Sequence, residues 1–256
     1  MMQFFPGFYY FSSRFDSLFS GFNYFFKYWF SYIVVFLLIS FEGEPFAVST
    51  LLAIVTSLCL FYCSYDVLCF KNDTTSVKYE KGTGVQRSLK NSNYSVFSPL
   101  RVIIFCCLTL LLYTLLGFSS FILSFGSLVI LILSFFLHNN IRPSLRVYTF
   151  FILYFLKPFI VGGWLMINSE PTTLVFFSLV YALCYLPNYA KRKLENGKIK
   201  SVLVKTPPFF TSGIFLKVLF ISPFLFFNFD FIYFILIQII MTSIEVFNNK
   251  RLVVTK

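Results

Sequence analysis

Residues 99–137 read PLRVIIFCCLTLLLYTLLGFSSFILSFGSLVILILSFFL, and Arg101 is the only charged residue in them. The stretch divides at Gly117-Phe118 into two apolar runs, 99–116 and 119–137. Each is long enough to cross the hydrocarbon core of a bilayer, which takes about 20 residues of helix. The runs are too long and continuous for the alternating strands of a membrane barrel. Backbone groups in lipid must be bonded within their own segment, so both runs are expected to be helices. The turn between them carries no charge. Arg101 lies nearer the cytoplasmic end of its run, from where its stem can carry the guanidinium to the headgroups.

The pattern repeats outward in both directions. Further apolar runs cover 24–41, 46–65, 147–167, 173–187, 209–227 and 230–247, making eight in all. The loops between them alternate in charge. Bases stand in the N-terminal segment (Arg14, Lys27), in 66–98 (Lys71, Lys78, Lys81, Arg87, Lys90) and in 138–146 (Arg142, Arg146). They return in 188–208 (Lys191, Arg192, Lys193, Lys198, Lys200, Lys205) and at the C-terminus (Lys250, Arg251, Lys256). The intervening connections at 42–45, 117–118, 168–172 and 228–229 hold no Lys or Arg. Lysine and arginine are retained on the cytoplasmic side of a membrane, so the alternation predicts span number and orientation together. The expected fold is all-α, a polytopic transmembrane helical bundle of about eight spans with both termini cytoplasmic.

Composition agrees, with 58% hydrophobic and 12% charged residues against about 25% charged in soluble domains. Eight spans occupy most of 256 residues and leave no room for a separate soluble domain. The net charge of +11 follows from topology and from attraction to anionic headgroups. The bases are spread over several loops rather than gathered in a patch, so nucleic acid is not an expected partner.

Residues 1–23 form a distinct N-terminal segment, 24–247 the bundle and 248–256 a cytoplasmic tail. Phe4, Phe8, Phe11, Phe15, Phe19 and Phe22 recur at helical spacing, with Arg14 and Asp16 off that stripe. Such a segment reads as an amphipathic helix lying in the headgroup plane, or as an aromatic tail packed on the bundle. Of the six cysteines, Cys59, Cys63, Cys106, Cys107 and Cys184 fall inside apolar runs and Cys69 just past one, so no disulfide framework is expected. The single histidine, His138, sits at the end of a run and is expected to make an interfacial polar contact.

External connections are too short to build a pocket, so any site is expected to open toward the basic loops. Asp66 and Asp73 are seven residues apart, two helical turns, and can share one helix face. They read either as carboxylates that hold magnesium, which grips a diphosphate, or as solvated acids in a basic loop. Arg87 and Lys90 can clamp phosphate oxygens or belong simply to the basic loop. Lys157 lies near the middle of run 147–167, where an ammonium is costly and normally faces a polar cavity or a partner. Pro158 beside it permits a kink, and Gly162-Gly163 permit close helix approach. Lys191, Arg192 and Glu195 at the end of run 173–187 read as an anion-binding mouth or as a solvated helix end.

These landmarks, in this order, resemble the UbiA superfamily of membrane prenyltransferases. The branch they most resemble joins phosphoribosyl diphosphate to a polyprenyl phosphate. That family follows its second helix with Asn-Asp-x-x-Asp-x-x-x-Asp, matched at Asp66 and Asp73, and then a basic stretch matched at Arg87, Leu89 and Ser92. Leu156-Lys157 with Gly162-Gly163 resemble a fifth-helix landmark, and Lys191-Arg192-x-x-Glu195 one after the sixth. Tyr65 stands where Asn is usual, Cys69 where the middle Asp is usual, and Arg146 near the place of a second acidic motif. The resemblance implies a Mg2+-dependent transferase in a bacterial cytoplasmic membrane, acting on a polyprenyl phosphate or diphosphate. In that scheme Asp66 and Asp73 hold the metal. Arg87, Lys157, Lys191 and Arg192 steady the phosphate, with Glu195 beside them. The reduced acid count also admits a relative that has lost catalysis, or a transporter, binding or moving a polyprenyl-linked lipid.

Overall fold

A computed structural model describes residues 6–15, 18–41, 47–75, 99–141, 145–166 and 171–195, with the single positions 232, 236, 239 and 240. Every regular element among them is helical. In chain order these are α1 (Phe8–Arg14), α2 (Leu18–Phe25), a π-helical turn (Phe26–Phe30), α3 (Ser31–Phe41) and α4 (Val48–Thr75). They are followed by α5 (Pro99–Leu116), α6 (Phe118–Asn140), α7 (Arg146–Ile160), the single turn α8 (Gly163–Met166) and α9 (Pro171–Glu195). Four stretches are long and apolar enough to cross a membrane: Phe19–Phe41, Val48–Asp73, Pro99–Leu116 and Phe118–Asn140. The expected runs 209–227 and 230–247 lie almost wholly outside the described residues.

The chain divides into two compact units, Met1–Asp16 with Phe46–Trp164, and Ser17–Pro45 with Leu165–Lys256. In the first, α1 packs on α4, α4 on α5 and α6, and α6 on α7. The pair α5 and α6 forms the expected hairpin, broken at Gly117. Helix α5 buries only Arg101 and Leu112 and exposes Val102, Ile103, Leu110 and Leu111. An apolar surface of that extent suits hydrocarbon rather than water.

Two expected boundaries shift. The second run was expected to end at Tyr65, before the first acid, yet α4 continues to Thr75 over 28 residues, or about 42 Å of helix. The helix continues because Asp66 and Asp73 meet cations from other helices. The run 147–167 is not one helix. Val161 turns extended, Gly162 adopts φ 92°, and a new turn starts at Gly163. Only glycine takes that φ without strain, and Pro158 has already removed one ladder donor. The break exposes the carbonyl of Ile160, and the Ser124 hydroxyl of α6 donates to it at 2.7 Å.

The second unit is an aromatic packing of α3 against α9. Phe36 meets Phe177 and Tyr32 meets Tyr181 at centroid separations of 5.2 and 5.5 Å, edge-on, the favoured arrangement for ring quadrupoles. The wider π-helical turn tilts carbonyls off the ladder, and the Tyr181 hydroxyl donates to the Tyr28 carbonyl at 2.7 Å. Helix α9 runs past the expected end of its apolar run at 187 through Lys191, Arg192 and Glu195. Those residues are good helix formers, and Lys191 and Glu195 stand at i, i+4.

Candidate functional site

The site is assembled in the first unit, around the acidic face of α4. Helix α1 begins after Gly7, whose φ of 84° places the chain in the left-handed region and which has no side chain to cap the helix. A Cβ there would meet the Phe11 ring at 3.1 Å, so glycine also permits the close approach. The missing cap comes from another helix. The backbone N–H of Tyr10 donates to Asp66 Oδ1 at 2.8 Å, and that of Tyr9 to Oδ2 at 3.4 Å. The first amides of a helix need such an acceptor, and a carboxylate also suits the positive end of the helix dipole.

The other end of α1 is tied to the second acid. Arg14 donates from Nη1 and Nη2 to the two oxygens of Asp73, each at 2.7 Å, a bidentate fork. Tyr9 adds its hydroxyl to Asp73 Oδ2 at 2.9 Å. The helix therefore runs parallel to the end of α4, its start at Asp66 and its last turn at Asp73. Phe11 packs on Tyr62 and Tyr10 on Tyr65, at 5.2 Å in both pairs. The chain leaves helical geometry at Phe15, so α1 carries only part of the phenylalanine stripe. Its fully buried face is Tyr9 and Tyr10.

Arg101 departs from its expected place. It is buried rather than reaching to headgroups, and its Nη2 meets Asp66 Oδ2 at 3.2 Å. The solvated reading of the acid pair also fails, since Asp66 is 0% and Asp73 3% exposed. A cavity of about 230 Å³ lies between α4, α5 and α6, with Arg101 in its wall beside Cys63, Leu68, Phe105, Ile132 and Phe136.

Lys157 is 1% exposed. Its Nζ lies 4.0 Å from the ring centroid of Tyr154, 5.7 Å from Tyr65 and 5.9 Å from Phe61. Three ring faces thus supply negative quadrupole density to the ammonium. The amine faces protein, not hydrocarbon, and shares Tyr65 with the α1 interface. Neighbouring polar groups brace the helices. His138 Nδ1 meets Thr149 Oγ1 at 2.7 Å, joining α6 to α7, and Thr149 donates to the Arg146 carbonyl at 3.1 Å. Arg146 is buried, with Nη2 at 3.5 Å from the Asn139 carbonyl in the last turn of α6, where a cation suits the dipole.

Of the expected site residues, Asp66, Asp73 and Lys157 are brought into one unit. Arg87 lies outside the described residues. Lys191, Arg192 and Glu195 end α9 in the second unit, and their side chains lie outside the description. Tyr9, Tyr10, Arg14 and Arg101 had no role in the site read from sequence. The signal for Arg14 and Arg101 was charge balance, because two buried carboxylates call for cations from other segments; Tyr9 and Tyr10 carried no such signal.

In this arrangement both carboxylates are engaged by protein donors. Magnesium takes oxygen ligands at about 2.0–2.1 Å in near-octahedral geometry. Here every carboxylate oxygen accepts from Arg14, Arg101, Tyr9 or Tyr10. Among the described residues, no group of three or more His, Cys, Asp or Glu could hold a metal.

Docking of α1 is expected to be sensitive to alkali. Burial, then the charge of Asp73 and the hydrogen bond to it, hold the Tyr9 phenol above its ordinary value of 10.0. A group whose pKa is raised in the docked state stabilises that state fully below its free pKa and loses the contribution as pH rises. Thermal stability in detergent is expected to fall above about pH 10. Tyr9→Phe is expected to reduce that fall, and an unchanged profile in the variant would refute the assignment.

No known family model, no curated protein and no solved structure matches this chain.

Proposed function

We propose that this chain is a UbiA-like integral membrane protein of about eight spans. It binds the phosphate end of a polyprenyl-linked lipid on the side of its basic loops, without a carboxylate-held magnesium ion. The observation that carries this reading is the occupancy of both acids by guanidinium groups, Arg14 on Asp73 and Arg101 on Asp66. The buried charges among the described residues of the first unit support it: Arg101, Arg146 and Lys157 outnumber Asp66 and Asp73, and an anionic ligand suits that balance. The order of the sequence landmarks and the alternation of basic loops support the architecture and the side.

The test is binding of a polyprenyl phosphate to the full chain in nanodiscs, with magnesium or with excess chelator. Equal affinity under both conditions, with no transfer, is expected. Magnesium-dependent transfer from a polyprenyl diphosphate, or from phosphoribosyl diphosphate to a polyprenyl phosphate, would replace this reading with the second one, a transferase. The second reading is favoured by one feature, the placing of Asp66, Asp73 and Lys157 in a single unit. It requires α1 to leave the acids before a metal can reach them.

A further inference from the structure

We infer that α1 is a strap over the aromatic wall of Lys157, latched by Arg14 on Asp73, and that its release opens the amine to water-borne anions. Three helices meet there. The Tyr10 ring of α1 lies 5.2 Å from the Tyr65 ring of α4, and the Tyr65 ring lies 5.7 Å from Lys157 Nζ on α7. The amine is thus one ring removed from the strap. Cys69, one turn beyond Tyr65 and buried, is within electrostatic range of both Arg14 and Lys157. The strap and the amine therefore share one stretch of α4, from Tyr65 to Cys69.

The strap is built to leave. Its seven residues are too few to hold a helix alone, so α1 depends on its docking. Its last turn is held by the Arg14 fork on Asp73 and its first by the Asp66 cap, with the Tyr9 hydroxyl also on Asp73. Gly7 at positive φ and the extended Phe15 bound it as hinges. It also has a second place to go. Phe8, Phe11 and Phe15 belong to a stripe that continues to Phe19 and Phe22 at spacings of three and four. Phe19 and Phe22 are 56% and 63% exposed, whereas Phe11 packs on Tyr62. The break at Phe15 divides a stripe that is continuous in residue order. With the latch open, the first half joins the second in the headgroup plane, where an amphipathic helix is at home. The two states exchange one apolar setting for another, so the latch sets the balance between them.

This inference concerns access to the amine and does not rest on the polyprenyl reading, so its test contains no polyprenyl lipid. The full chain in nanodiscs is treated with a sulfonated, membrane-impermeant acetylating ester, and acetylation of Lys157 is followed by peptide mass spectrometry. Lys71, exposed on α4, is the internal reference. Amide exchange over α1 and over the α5–α6 hairpin is read in the same samples. Arg14→Gln is expected to speed acetylation of Lys157 relative to Lys71 by at least about tenfold, the weight of hydrogen bonds between charged groups. Exchange is expected to quicken in α1 and to stay unchanged in α5 and α6. Tyr9→Phe is the milder change, expected to give about threefold or more, and it decides the matter should Arg14→Gln unfold the hairpin. The proposal is overturned if Lys157 stays as slow as in the wild type while α1 exchange quickens. It is overturned equally if neither variant quickens α1, or if wild-type Lys157 reacts as fast as Lys71.

Discussion

Asp66→Ala is expected to cost about 3 to 5 kcal/mol of stability, the range for deleting one partner of a buried ion pair. The substitution removes the counter-charge 3.2 Å from Arg101 and the acceptor for the Tyr9 and Tyr10 amides together. Two helices then suffer at once, since α1 loses its cap and α5 loses the carboxylate that faces its first turn. Asp66→Asn keeps an acceptor for the amides and is expected to lose less. Asp66→Ala with Arg101→Met removes both charges, and much of the loss is expected to return. Replacing a buried pair by apolar groups is often neutral or favourable. The measurement is unfolding in mild detergent for the two single variants and the double one, read as a double-mutant cycle. Additive losses would show that Asp66 and Arg101 act independently and would dismantle the account of this interface.

Lys157→Met is expected to have the opposite signature, a fold at least as stable with a weakened function. A buried ammonium carries a desolvation cost of several kcal/mol. Its three ring contacts return about 0.5 to 2 kcal/mol each. Methionine fills the same space and packs well against aromatic rings. The two terms are of similar size, so stability is expected to be retained or raised. Polyprenyl phosphate binding is expected to weaken at least about tenfold, equivalent to 1.4 kcal/mol. A residue that costs stability where it stands is most simply retained for use. Loss of stability without loss of binding would reduce Lys157 to a packing element. Arg192→Gln serves as a comparison at a candidate residue in the second unit.

Much of the helical architecture was legible in residue order. The apolar run 99–116 coincides with α5, and 119–137 lies inside α6, because continuous apolar stretches bounded by Gly117 leave the backbone no alternative in lipid. The reading faltered where a single residue's chemistry depends on distant segments. Tyr65 looked like the last residue of a run because a carboxylate follows it, and only the arrival of Arg101 allows α4 to carry Asp66 onward. The break at Gly162 was readable only as permission for close packing. Whether the chain used the φ > 0 available there depended on Ser124 being present to satisfy Ile160.

The candidate site divides in the same way. Spacing alone put Asp66 and Asp73 on one face of one helix, since seven residues are close to two turns. The depth of Lys157 in its run marked it as costly from the order of residues. What those charges face was decided by tertiary structure. Arg14 and Arg101 lie 59 and 35 residues from their carboxylates, and no local periodicity links segments that far apart. Hydrophobic patterning acts over a few turns and determines which segments are helices. Electrostatic partnership acts through space, so the folded bundle alone determined that the acids hold α1 and α5.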